Sequence, residues 1–224
     1  PVAGRWACDG GRWCAARRQL VTLVLATRNR GKLAELSAIL SDAGVTEELL
    51  DLDDVHIPDT RETGVTFEQN ALLKAREACA LTGLPAIADD SGLAVDVLGG
   101  SPGVFSARWC GRHGDDRANL ELLLAQLGDV PAEHRGARFV CAAVAVWPDG
   151  REAVEIGELR GVLTTSPRGD NGFGYDPIFE VQTASGPHTT AELSADEKHA
   201  ISHRGRAFRA LVSRHLVPGG RGPI

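Results

Sequence analysis

The chain has 224 residues, 43% hydrophobic and 24% charged, enough to bury a sizeable core without disulfide staples. A formal net charge of −6 argues against a general nucleic-acid or anionic-membrane surface, while leaving room for a local basic pocket. No apolar run approaches the ~18 residues of a membrane span. Cys8, Cys14, Cys79, Cys110 and Cys141 show no metal-like spacing and read as free thiols of a reducing cytoplasm.

The first nineteen residues differ from the rest. Arg5, Arg12, Arg17 and Arg18 stand among Gly, Trp and Cys with one acid, Asp9, and without the apolar stretch of a signal peptide. They read as a disordered or non-native extension. That leaves 20–217 as a single domain and 218–224 as a flexible tail.

Leu20 to Ala26 is a continuous apolar run, the pattern of a strand covered on both faces. It leads into Thr27-Arg28-Asn29-Arg30-Gly31-Lys32. Leu33, Leu36, Ile39, Leu40 and Ala43 then recur at helical spacing up to Gly44. Such a strand-to-helix loop is either an ordinary polar connection or an anion site. In the second case helix N-terminal N–H groups bind a phosphate, Lys32 adds charge and Asn29 an amide. The spacing of a Walker A loop is missing.

Glu47 to Leu52 reads as a short strand, and Asp53, Asp54, Asp59 and Glu62 mostly as acids of a solvated loop. Thr66 to Gln69 fits a capping box. The helix behind it carries Ala71, Leu72, Ala75, Ala78 and Cys79 and ends at Gly83. Lys74 on that helix is either a surface lysine or a cation aimed at a ligand cleft.

Leu84 to Ala88 is a short apolar strand that meets Asp89-Asp90-Ser91-Gly92. Read locally, these four residues are a turn or a site. Two carboxylates outside the carboxyl end of a strand can hold a divalent cation, and one can accept a proton from water. Placed side by side, Asp89 and Asp90 are expected to repel unless a cation lies between them.

Leu93 to Leu98 is apolar, and Gly99 to Gly103 is a turn. Asp115 or Asp116 caps a helix whose face is Leu120, Leu123, Leu124 and Leu127. Arg138 to Trp147 and Arg151 to Leu163 form a hairpin about Pro148-Asp149-Gly150. Its length predicts that it reaches beyond the main sheet as one wall of a cleft. Gly169 to Asp176 is glycine-rich and holds Phe173 and Tyr175, which either stack on a base or pack into the core. Pro177 to Phe179 resumes a strand. Ser194 to Glu197 is a second capping box, followed by Lys198, by Ser202-His203-Arg204-Gly205, and by a helix with Phe208, Leu211 and Val212 on one side. The element order predicts an α/β fold with a mixed sheet.

Five segments in this order carry a likeness: Thr27-x-Asn29-x-Gly31-Lys32, Ala88-Asp89-Asp90-Ser91-Gly92-Leu93, Gly100-x-Pro102-Gly103, Gly172-Phe173-Gly174-Tyr175-Asp176-Pro177 and Lys198-x-x-x-Ser202-His203-Arg204-Gly205. The chain resembles the inosine/xanthosine triphosphate pyrophosphatase family from about Val21 to Leu216. The resemblance implies an elongated mixed β-sheet flanked by helices, two lobes with a central cleft, and a cytoplasmic homodimer. It implies hydrolysis of non-standard purine nucleoside triphosphates (ITP, dITP, XTP) to monophosphate and pyrophosphate with Mg²⁺.

Carried over by residue, Thr27, Arg28, Asn29, Arg30, Gly31 and Lys32 would bind the triphosphate. Asp90 would be the proton acceptor and a metal ligand, with Ser91 beside it on the substrate. Phe173, Gly174, Tyr175, Asp176, Lys198, His203 and Arg204 would hold the nucleotide and base. One departure stands out. Where the family places a metal-binding glutamate before the second helix, the matching position reads as Arg61 with Glu62 next. The second metal ligand is then either Glu62 or water. Two other functions compete: a pyrophosphatase for pyrimidine or methylated nucleotides on a related fold, and a nucleotide-binding regulator without catalysis. The regulator would keep Lys32 and the aromatic loop without needing Asp89 and Asp90.

Overall fold

The computed structural model describes residues 22–42, 45 and 48–216. The expected extension at 1–19, the tail at 218–224, Gly44 and Glu47 lie outside them. Seven strands form one mixed sheet: β1 (Leu23–Leu25), β2 (Leu49–Asp51), β3 (Ala86–Val95), β4 (Gly136–Val146), β5 (Glu152–Leu163), β6 (Phe179–Thr183) and β7 (Gly186–Thr189). Their spatial order is β2-β1-β3-β4-β5-β6-β7. β1 pairs with β2 and β3 in parallel, and the later pairs are antiparallel. The helices are α1 (Arg30–Asp42), α2 (Phe67–Thr82), α3 (Asp116–Gln126), α4 (Ala195–Ile201) and α5 (His203–Leu211). Among the described residues no helix is long and apolar enough to cross a membrane.

Local signals set the helix ends. Thr66 caps α2 by accepting from Gln69 N, but the Gln69 side chain accepts from Val65 N, so the expected capping box is half formed. Gly83 closes α2 in the left-handed conformation, φ +67°, and its N–H reaches Cys79 O. Asp115 caps α3, and Ser194 with Glu197 forms a complete box on α4. The buried face of α2 is the predicted one, and α3 buries Leu120, Leu123 and Leu127 with Leu124 at the edge.

β3 departs from the sequence reading. A strand ending at Ala88, before a turn or a site, was expected; the strand runs unbroken to Val95, in register with β4 from Ala86↔Val146 to Val95↔Ala137. β4 supplies the backbone partners along this length, so Asp89 and Asp90 sit in mid-strand. Side chains alternate across a strand. Ile87 therefore packs with α1 and α5, while Ala86 and Ala88 pack under α2. Farther along, Leu93 and Val95 join a third apolar cluster with α3, Phe139, Ile178 and Phe179. β3 is thus apolar at both ends and polar between. The β4–β5 hairpin lies in the middle of the sheet and, with β3 beside it, reaches well past the three-residue strands β1 and β2 while staying hydrogen-bonded within the same sheet.

Gly92 makes room at the polar centre. A Cβ there would lie 2.5 Å from Ser106 Oγ, 2.6 Å from Gly103 O and 2.9 Å from Phe67 Cε1. The bare backbone lets a 3-10 turn, Gly103–Arg108, lie against β3. Ser106 Oγ seals the contact by accepting from Leu93 N at 2.9 Å and donating to Gly103 O at 2.7 Å. Gly92→Ala is expected to destabilise the protein by about 1–3 kcal/mol, a fall of roughly 2–10 °C in Tm. Thermal unfolding of the purified variant checks this; an unchanged Tm would mean the turn is not held by that contact.

Candidate active site

A cavity of about 1040 Å³ opens over the middle of β3. Strand pleating splits the two aspartates between sheet faces. Asp89 faces α1 and α5: Lys32 Nζ donates to its Oδ2 at 3.0 Å, Ser91 Oγ at 2.7 Å and Arg204 Nε at 3.3 Å. Burial would raise the Asp89 pKa, but Lys32, then Arg204 and Lys74, outweigh it and hold the carboxyl well below its ordinary range. Asp89 does not line the cavity. It is a structural anion.

Asp90 faces α2 and does line the cavity. Asn70 Nδ2 donates to its Oδ2 at 3.1 Å, and Ser91 N to its Oδ1 at 3.1 Å. Lys74 Nζ lies 3.7 Å from Asp90 Oδ1 and 3.0 Å from Glu62 Oε1. Burial, reinforced by the Glu62 charge, pushes the Asp90 pKa up despite Lys74. Lys74 stays charged: burial works against it, and Asp90, Asp89 and Glu62 more than compensate. The expected repulsion between Asp89 and Asp90 is therefore corrected. The strand itself separates them, and the carboxylate that shares a cation with Asp90 is Glu62.

The other predicted residues divide by how they are used. In the first loop, Thr27 Oγ1 accepts from Asn29 N and Asn29 Oδ1 from Lys32 N, so both shape the start of α1 at the cavity edge. Arg28 also lines the cavity but is tied back, to Asp53 at 2.6 Å, Asp59 at 3.0 Å and Ile57 O. Asp53, Asp54 and Asp59 are exposed, as expected of a solvated loop, although Asp53 and Asp59 pair with Arg28; Glu62 is the acid of the loop that turns to the cavity. Gly31 sits in the first turn of α1, and the Arg30 side chain lies outside the described atoms.

On the opposite wall, Phe173 is half exposed, with Lys198 Nζ 5.0 Å and Arg204 Cζ 6.0 Å from its ring centroid. Tyr175 lines the cavity with one edge while most of the ring packs into the core: it is buried, its OH donates to Ser106 O at 2.9 Å, and burial raises its pKa. Asp176 is saturated by Phe173 N at 2.8 Å, Lys198 Nζ at 2.5 Å and Thr190 Oγ1 at 2.7 Å, which makes it the organiser of the loop. Gly174 N donates to Asp116 Oδ2 at 3.0 Å.

Ser91 and Arg204 meet at 3.5 Å, and Arg204 also binds Glu35 from α1. His203 is buried, stacked on Phe139 with centroids 5.0 Å apart, and its Nδ1 has no hydrogen-bond partner among the described residues. Burial, with the Arg204 and Lys198 cations, holds its pKa well below the ordinary range, so the imidazole is neutral at neutral pH. Sequence reasoning missed Glu35, Asn70, Arg108, Asp116 and Thr190. Each is a common polar residue on a helix or loop, and only long-range packing marks it.

The chain is matched by the model of the Ham1 family over residues 23–214. A dITP/XTP pyrophosphatase of Streptomyces avermitilis is 63% identical over 194 residues, covering 86% of this chain and 96% of that protein. One from Mycobacteroides abscessus is 55% identical, covering 89% and 98%. A solved structure of a nucleoside-triphosphatase / dITP/XTP pyrophosphatase from Mycobacterium abscessus is 54% identical with TM-score 0.71, covering 86% and 99%. A HAM1 protein structure from Coxiella burnetii is 40% identical with TM-score 0.77, covering 85% and 96%.

Asp89→Asn is expected to cost about 3–5 kcal/mol of stability, because Lys32 and Arg204 lose a buried counter-charge. The folded pKa of Asp89 is depressed, so its contribution is fully present above the unfolded value of about 3.9 and fades as pH falls below it. The difference in unfolding free energy between wild type and variant should shrink from pH 5 toward pH 2. A difference that stays constant across that range would remove the charge explanation.

Proposed function

The chain belongs to the Ham1 family, and from that premise and the geometry of the cavity we propose that it hydrolyses non-standard purine nucleoside triphosphates such as dITP and XTP to the monophosphate and pyrophosphate. The carrying observation is the convergence on one cavity of the carboxylates of Asp90 and Glu62, the cations Lys32, Lys74, Lys198 and Arg204, and an exposed aromatic ring, Phe173. This combination suits a base joined to a polyanion, and it accounts for more of the site than non-catalytic nucleotide binding does.

Asp90 is the proton acceptor in this reading. Its Oδ1 takes a proton as water adds to the α-phosphorus, and pyrophosphate leaves. Asn70 holds the other oxygen, so the carboxylate is aimed before substrate arrives. Lys32 and Lys74 offset phosphate charge from two sides. Glu62 and Asp90 fit a hard divalent cation, since two carboxylates already share one lysine Nζ at 3.0 and 3.7 Å. Mg²⁺ held by these two oxygens would supply neutralisation of the phosphate oxygens. Glu62, not Arg61, would be the second protein ligand of such a cation.

Phe173 stacks on the purine, and buried neutral His203 with Arg204 supplies donors toward a six-oxo base, which adenine mismatches. Residues 20–217 make up a single two-lobed domain with the nucleotide in the cleft between the lobes, and the protein works as a homodimer in the cytoplasm. The free thiols at Cys79, Cys110 and Cys141 support a reducing compartment.

Asp90→Asn should lower pyrophosphate release from ITP at least about 10³-fold with near-UV circular dichroism unchanged; activity within a few-fold of wild type would remove Asp90 from its role. The first product is expected to be pyrophosphate. Orthophosphate in its place, or equal rates on ATP and ITP, would contradict the reading.

A further inference from the structure

Among the described residues two cations lining the cavity lack a carboxylate within hydrogen-bond range, the exposed Arg61 and the more enclosed Arg108. Lys32 is bonded to Asp89, Lys198 to Asp176, Arg204 to Glu35 and Asp89, and Arg28 to Asp53 and Asp59. Arg108 differs. Among the described residues its one carboxylate neighbour is Glu62, with Nη1–Oε2 3.8 Å, beyond hydrogen-bond range. Glu62 is already bonded to Lys74 at 3.0 Å. The remaining contacts of Arg108 are Nε2 of His113, 3.0 Å from Nη1, and the face of Phe105, 5.3 Å from Cζ.

The backbone that carries Arg108 is firmly held. The 3-10 turn Gly103–Arg108 lies against Gly92, two residues beyond Asp90, and Ser106 is locked to Leu93 on one side and to the Tyr175 hydroxyl on the other. A fixed backbone carries a side chain whose charge is only loosely engaged, and it lines the same cavity as Asp90 and Lys74. A planar guanidinium in that state suits a phosphate, which it can meet with two N–H donors.

The geometry points to Arg108 as a ligand of the substrate's phosphate chain, a cationic wall opposite Lys32 that leaves Glu62 when a phosphate enters. This rests on the pyrophosphatase reading for the identity of the substrate. The recognition itself is of a polyphosphate and requires no turnover.

The test compares wild type with Arg108→Ala and Arg108→Lys in three measurements. Calorimetry without metal reads affinity for inorganic tripolyphosphate and, separately, for inosine. Steady-state kinetics with Mg²⁺ read KM for ITP. Thermal unfolding reads Tm. Arg108→Ala should weaken tripolyphosphate binding and raise KM by about ten- to a hundredfold. Inosine affinity and Tm should not change, and Arg108→Lys should recover part of the loss. Unchanged tripolyphosphate affinity, equal weakening toward inosine, or a change confined to the Mg²⁺ requirement would each overturn the assignment. The last would make Arg108 a brace for Glu62. A wild type that binds tripolyphosphate through Arg108 but releases no pyrophosphate from ITP would sink the proposed function and leave the Arg108 assignment standing.

Discussion

The buried carboxylate of Asp89 is the charge on which the site depends. It joins three elements distant in sequence: β3 beneath it, Lys32 from α1 and Arg204 from α5. Glu35 completes the cluster by binding Arg204 from the α1 side. Asp89, Glu35 and Arg204 have almost no water access, Lys32 reaches them from the cavity edge, and the four charges need each other. Removing one leaves a desolvated charge, which costs far more than the pair contributes over an apolar alternative. The cluster therefore sets the angle at which α1 and α5 meet the sheet. Those helices carry the Thr27–Lys32 loop and the His203-Arg204 pair to the cavity.

The one-residue step from Asp89 to Asp90 crosses the sheet. On the far side Asn70 and Lys74 of α2 receive Asp90, and Glu62 reaches the same lysine from the preceding loop. Identical side chains acquire opposite properties from this placement. Asp89 is held ionised by lysine and arginine, whereas burial and the Glu62 charge push Asp90 toward protonation. A carboxylate meant to accept a proton benefits from the second environment.

Before substrate enters, most cations of the cleft are occupied by protein carboxylates. A polyanion must therefore exchange partners with them, and its affinity reflects the difference between the two sets of contacts. This favours ligands with several charges at the spacing of a phosphate chain over single anions. It also explains why Arg28 and Asp176, natural candidates for ligand contact, serve as supports: their polar atoms are consumed in shaping the two loops that border the base and the phosphates.

Local patterns in the amino-acid sequence determined the helices, their buried faces and most of their caps. The Thr66, Asp115 and Ser194 caps and the Leu120–Leu127 stripe act within a few residues of themselves. The glycine-rich Gly172–Asp176 loop and the Asp89-Asp90 pair were also legible as places where chemistry gathers. Tertiary structure decided how they are used. β3 could not be seen to continue through Asp89, because its partner strand lies some fifty residues farther on and its charges are balanced by α1 and α5. The split of Asp89 from Asp90, the anchoring of the Tyr175 hydroxyl on Ser106, and the meeting of Glu62, Lys74 and Arg108 are long-range events of the same kind. Glu35 and Arg204 stand 169 positions apart. Hydrogen-bond and charge partners that distant leave no periodic trace in the chain, so only the folded packing assigns them.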